Sequence, residues 1–99
     1  MAVKHVVLFK LRNEVTESRA AQAFATLRAL KEKIPTITSF EGGTNVSEEG
    51  LSDGLTHAFV MTMADRQAVR EYLDHPEHVK LVDELLPILE KLVVFDFVV

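Results

Sequence analysis

The sequence predicts an α+β fold with the element order βαββαβ, and three observations carry that prediction. Residues 3–11 alternate and residues 92–99 form an almost unbroken apolar run, both at strand length. Between residues 20 and 34 the apolar positions recur at steps of three and four, the period of a helix packed on one side. A second strand pattern at residues 57–63 leads into a helical stretch that Pro76 must interrupt.

The elements follow in order. Val3, His5, Val7, Phe9 and Leu11 share one face of the first strand, with Lys4, Val6, Leu8 and Lys10 on the other. Thr16 or Ser18 can cap the first helix, whose stripe of Ala20, Ala23, Phe24, Leu27, Leu30 and Ile34 ends at Pro35. Thr36 to Val46 is rich in β-branched residues, and Gly42-Gly43 predicts a bulge or bend in this second strand. Ser47 to Leu55 is polar and punctuated by glycine, hence a loop. In the third strand His57, Phe59, Met61 and Met63 share a face. Asp65 caps a second helix that runs through Tyr72 and breaks near His75, because the residue before a proline is forced out of helical geometry. The helix restarts with Val82, Leu85, Leu86 and Leu89; Pro87 shortens it, and the last strand runs from Lys91 onward.

Composition limits the function. The 99 residues support one domain, 1–99, with a single core. Apolar residues at 47% and charged residues at 26% fit a globular chain rather than a disordered one. A net charge of −4 with no Lys/Arg cluster speaks against nucleic-acid binding, which needs a basic patch. There is no cysteine to build a disulfide framework or a thiolate metal site. No apolar run reaches membrane-spanning length, and Lys4 and His5 follow Met1 too closely for a signal peptide, so a cytoplasmic protein without membrane contact is expected.

Two βαβ units side by side make a ferredoxin-like sandwich, with strand order 4-1-3-2 and both helices on one face. One helical layer covers only one face of the sheet. Val6, Leu8, Val93, Phe95, Phe97 and Val99 would lie bare on the other, so a homodimer with sheets packed face to face into an α/β barrel is expected. With strands one and three taken as parallel and strand four antiparallel to both, His5, His57 and Asp96 fall at one end of the sheet, where Tyr72, His75 and His78 return with the second helix. His5 pairing with Asp96 sets Val7 beside Val94, apolar next to apolar on one face. These groups are expected at the mouth of a small-molecule recess lined by Phe24, Leu27, Phe59 and Met61.

The opening Lys4-His5-Val6-Val7-Leu8-Phe9-Lys10, the run Tyr72-x-x-His75-Pro76-x-His78 and the closing Val94-Phe95-Asp96-Phe97 resemble the stress-responsive dimeric A/B-barrel (Dabb) domain family over essentially the whole chain. The resemblance implies Tyr72 and His78 as a catalytic pair with His5, His57 and Asp96 around the substrate, beside the Phe24, Leu27 and Phe59 that the topology places in the recess wall. Leu27 and Phe59 depart from a polyketide-cyclising member of the family, which carries a tyrosine and a smaller valine there.

Neutral His78 is suited to remove a proton between two carbonyls, and Tyr72, protonated at neutral pH, to donate a hydrogen bond to the oxyanion that forms. Asp96 would then orient the His5 imidazole, and His57 would bind a substrate oxygen or a water. Each residue also has a structural reading: Tyr72 as core with its hydroxyl at the rim, and His5 with Asp96 as a satisfied pair joining two strands. His75 is assigned to electrostatic stabilisation of the helix end. No cofactor is expected, and His75-x-x-His78 lacks the partners of a metal site. Two function classes follow: a cofactor-free lyase that cyclises a poly-β-keto compound, or a stress-response dimer or larger oligomer whose pocket binds without turnover. A cofactor-free monooxygenase is a third.

Overall fold

The computed structural model describes all residues, Met1–Val99. Its elements are β1 (Val3–Leu11), α1 (Glu17–Lys33), β2 (Ile37–Thr44), β3 (His57–Met63), α2 (Arg66–Asp74), α3 (Pro76–Leu85), a 3-10 turn (Leu86–Ile88) and β4 (Leu89–Val98). The sheet order is β2-β3-β1-β4, the ferredoxin-like arrangement, and every neighbouring pair is antiparallel.

Local chemistry sets the helix limits. The Thr16 hydroxyl accepts from the Arg19 N–H at 3.1 Å and the Asp65 carboxylate from the Ala68 N–H at 2.8 Å, each satisfying a donor that the first turn leaves unpaired. Helix α1 stops at Ile34, the residue before Pro35, which adopts an extended conformation. Alternation along β1 buries Val3, His5, Val7 and Phe9 under the helices, against Phe59, Met61 and Met63 of β3 and Leu27, Leu30 and Ile34 of α1 and its cap.

Strand direction departs from the sequence expectation. The crossover through α1 makes β1 and β2 parallel, and the return from β2 to β3 reverses the chain, so β3 runs against β1. His57 therefore lies opposite Phe9, while His5 lies opposite Met61 and Asp96. His57 and His5 sit at opposite ends of the sheet. The expected register of β1 and β4 is present, with His5 beside Asp96 and Val7 beside Val94. Helix α2 starts at the His5 end rather than returning to it. Tyr72 reaches His5 because both lie close to that end, the tyrosine roughly 9 Å along its helix and the histidine roughly 7 Å along its strand.

The glycine pair does not break β2. Pairing with β3 continues through Gly42 and Gly43, and the register shift lies earlier, between Ile37 and Ser39. Gly42 serves packing instead: a Cβ there would stand 2.9 Å from the Ala58 carbonyl and the Phe59 Cβ, and 3.1 Å from the Phe24 ring. Gly42→Ala should lower stability by about 1–3 kcal/mol in urea unfolding. Gly43→Ala, with nothing within 4 Å, should be near neutral, and equal midpoints for the two variants would contradict this role.

β4 begins at Leu89, two residues earlier than expected, directly after the 3-10 turn that holds Pro87. Its pairing places Val93, Phe95 and Phe97 on the face away from the helices, beside Leu8, Val6 and Lys4. Val60 joins them from β3, making a contiguous apolar face on which Phe95 is 62% exposed. No helix is long and apolar enough to cross a membrane.

Candidate functional site

The helix-facing side of β1 and β4, from His5 along to Phe9 and Leu89, and the end of α2 with α3 border a cavity of about 240 Å³. Its walls are apolar: Val7, Phe9 and Phe59 from the sheet, Leu27 from α1, Leu73 from α2, Leu81, Val82 and Leu85 from α3, then Leu86, Leu89, Leu92 and Val94. Three polar side chains reach it, His5, Tyr72 and His78.

His5 is 4% exposed, and its Nδ1–H donates to the Asp96 carboxylate at 2.6 Å. That bond fixes the ring and leaves Nε2 as the free nitrogen. Tyr72 is almost wholly buried, edge-on to His5 with ring centres 5.4 Å apart, and 4.5 Å from the ring centre of His78. Burial, followed by the negative charge of Asp96, pushes the Tyr72 hydroxyl well above the ordinary tyrosine pKa, so it remains a proton donor throughout the neutral range.

His78 is half-buried in the first turns of α3. Its Nδ1–H donates to the Leu73 carbonyl at 3.0 Å, so the neutral ring carries its lone pair on Nε2. Burial lowers its pKa below the usual 6.5; the bond to Leu73 opposes this shift and the neighbouring His5 adds to it. The imidazole is therefore neutral and available as a base at pH 7. A neutral imidazole and a protonated phenol face one apolar space, which is the pairing that proton abstraction with oxyanion stabilisation requires.

The structure gathers Tyr72, His78, His5 and Asp96, with Leu27 and Phe59 in the cavity wall. Leu27 and Phe59 border the space without filling it. His57 and Phe24 are not part of it: antiparallel β1 and β3 put His57 at the other end of the sheet, and Phe24, in the first half of α1, packs against Phe9 and His57 there. His57 stacks on Phe9 at 5.3 Å, packs against Phe24 and hydrogen-bonds through Nδ1 to the Thr56 hydroxyl at 2.8 Å. Met61, fully buried in the core, does not line the cavity either. The wall that sequence reasoning missed comes from α3 and the turn after it. Its signal was present, since Leu81, Val82, Leu85, Leu86 and Leu89 form an apolar stripe that needs something to cover.

His75 caps rather than acting through charge. It ends α2 in an extended conformation, φ −65° and ψ 134°, and its Nδ1 accepts the Glu77 N–H at 3.1 Å, making it the N-cap of α3. No three His, Asp or Glu side chains converge as metal ligands.

Residues 3–99 match the family model of the Stress responsive A/B Barrel Domain, Dabb. Olivetolic acid cyclase from Cannabis sativa is 32% identical over 97 residues, which cover 98% of this chain and 96% of that protein. The crystal structure of At3g17210 from Arabidopsis thaliana superposes with a TM-score of 0.94 at 33% identity, covering 98% of this chain and 94% of that one. A dimeric ferredoxin-like protein of unknown function from Jannaschia superposes with a TM-score of 0.87 at 26% identity, covering both chains completely. The Dabb match takes in every element from β1 to β4, and the chain belongs to the Stress responsive A/B Barrel Domain family.

Proposed function

We propose that this protein is a cofactor-free lyase that closes a ring in a poly-β-keto compound by an aldol-type step, working as a homodimer. The observation that carries the reading is the pairing of Tyr72 with His78, 4.5 Å apart between ring centres, over an apolar cavity into which His5 also points from its bond to Asp96. The 32% identity to olivetolic acid cyclase supports the same class of chemistry.

In this reading His78 Nε2 takes a proton from a methylene flanked by two carbonyls, and the C–H electron pair becomes an enolate. The enolate carbon forms a C–C bond to a further carbonyl of the same substrate, whose π electrons move to oxygen. The Tyr72 hydroxyl donates a hydrogen bond to that oxyanion, and the proton on His78 passes to it. A dry wall strengthens both interactions, because charge developing there is poorly screened by water. His5, held by Asp96, presents its free nitrogen to a substrate hydroxyl or a water. Phe59 and Leu27 line the cavity and take up space that a substrate side chain would need. His57 and Phe24 have no part in this reading.

The homodimer follows from the uncovered face carrying Val6, Leu8, Val60, Val93, Phe95 and Phe97. That face also favours a second reading, a stress-response assembly that binds a ligand without turnover. Incubation of a linear tetraketide with the protein separates the two. A cyclised product formed faster than in a protein-free control supports the lyase; a rate equal to the control supports binding alone.

A further inference from the structure

We propose that His75 is the positioning residue that sets which nitrogen of His78 is basic. In an uninterrupted α-helix the Leu73 carbonyl would accept the N–H of Glu77, four residues on. Here His75 is extended and turns the chain, and its own Nδ1 accepts the Glu77 N–H at 3.1 Å. Pro76, having no N–H, adds no competing donor at the break. The Leu73 carbonyl is thereby left to accept Nδ1–H of His78 at 3.0 Å. The Pro76 break frees the Leu73 carbonyl, and the His75 cap keeps the Glu77 N–H occupied, so that the carbonyl is left to hold the imidazole.

The arrangement specifies both tautomers. His75 must be unprotonated at Nδ1 to accept, and His78 must be protonated at Nδ1 to donate. With Nδ1 of His78 occupied, Nε2 is the nitrogen that faces a ligand, and Leu73 itself lines the cavity. The same exchange fixes where the ring lies, because Leu73 stands on the last turn of α2 beside Tyr72, and His78 packs its ring on Tyr72.

The inference rests on His78 serving as the base, and its test has one readout that does not depend on turnover. Long-range ¹H–¹⁵N spectra of the histidine rings in the full-length protein should show His78 as the Nδ1–H tautomer. In His75→Ala the ring should move toward the Nε2–H form, while His75→Asn, whose side-chain oxygen can cap α3 in the same way, should restore the wild-type pattern. In tetraketide cyclisation His75→Ala should lower kcat about 10-fold with KM little changed, and His75→Asn should recover most of the loss. A wild-type His78 in the Nε2–H form, or a His75→Ala spectrum with His78 unchanged, would overturn the proposal whatever the rates. Should His75→Ala fail to fold, His75→Leu, which keeps side-chain bulk but offers no acceptor, should show the same move toward the Nε2–H form, and an unchanged His78 there would overturn the proposal. The predicted spectra with no cyclisation by the wild type would leave the positioning intact and remove the lyase reading alone.

Discussion

Replacing His78 with alanine should lower kcat for ring closure by about 10² to 10⁴-fold at pH 7, the range that a positioned general base contributes. KM should change little, since most of the cavity surface is apolar and independent of His78. The wild-type pH profile carries the same information. Only the neutral imidazole is a base, so activity rises with pH through the His78 pKa. Burial sets that pKa below 6.5, so the midpoint of the acid limb should lie below 6.5. His78→Ala should lose this limb. A midpoint above 6.5, or an acid limb that survives in the variant, would assign the base elsewhere.

Phe95→Asp should dissociate the proposed dimer. Phe95 sits in the middle of the uncovered face, paired across to Val6 and with its ring 6.4 Å from that of Phe97. In a two-fold dimer the substitution enters both subunits and leaves two carboxylates without partners in an apolar interface. Aspartate is too short to reach water at the rim as lysine would. Association should weaken by at least about 100-fold, roughly 3 kcal/mol, read as a shift toward monomer in analytical ultracentrifugation. The thermal midpoint should fall with it and depend on protein concentration. A variant that stays dimeric with unchanged strength would place the interface on another surface.

These two effects trace to features of unequal visibility in the sequence. The β1–β4 register could be read because a shift by one residue would set His5 against Phe95 or Phe97, and only one alignment matches Val7 to Val94 and His5 to Asp96. The bare face could be read because β4 is apolar on both sides while one helical layer covers one side. The place of His57 could not be read from alternation, which reports the face a residue lies on and not the direction of its strand. Taking β1 and β3 as parallel moved His57 the length of the sheet, into a site it does not reach. The break at Pro76 was legible from the proline alone, but the role of His75 was not. A histidine at a helix junction acts through charge or through an accepted hydrogen bond, and only the extended backbone at His75 together with the Glu77 N–H on its Nδ1 selects the second. Gly42 misled for a related reason: glycine in a strand signals either a bend or a close neighbour, and here the neighbours are Phe59 and Phe24.

The most direct measurement of the Tyr72–His78 pairing is the initial rate of cyclised product from a linear tetraketide, compared among wild type, Tyr72→Phe and His78→Ala after the uncatalysed rate is subtracted. The pairing predicts that both variants retain their fold and fall by about 100-fold or more, Tyr72→Phe through loss of the oxyanion donor and His78→Ala through loss of the base. Equal rates for all three proteins would contradict it.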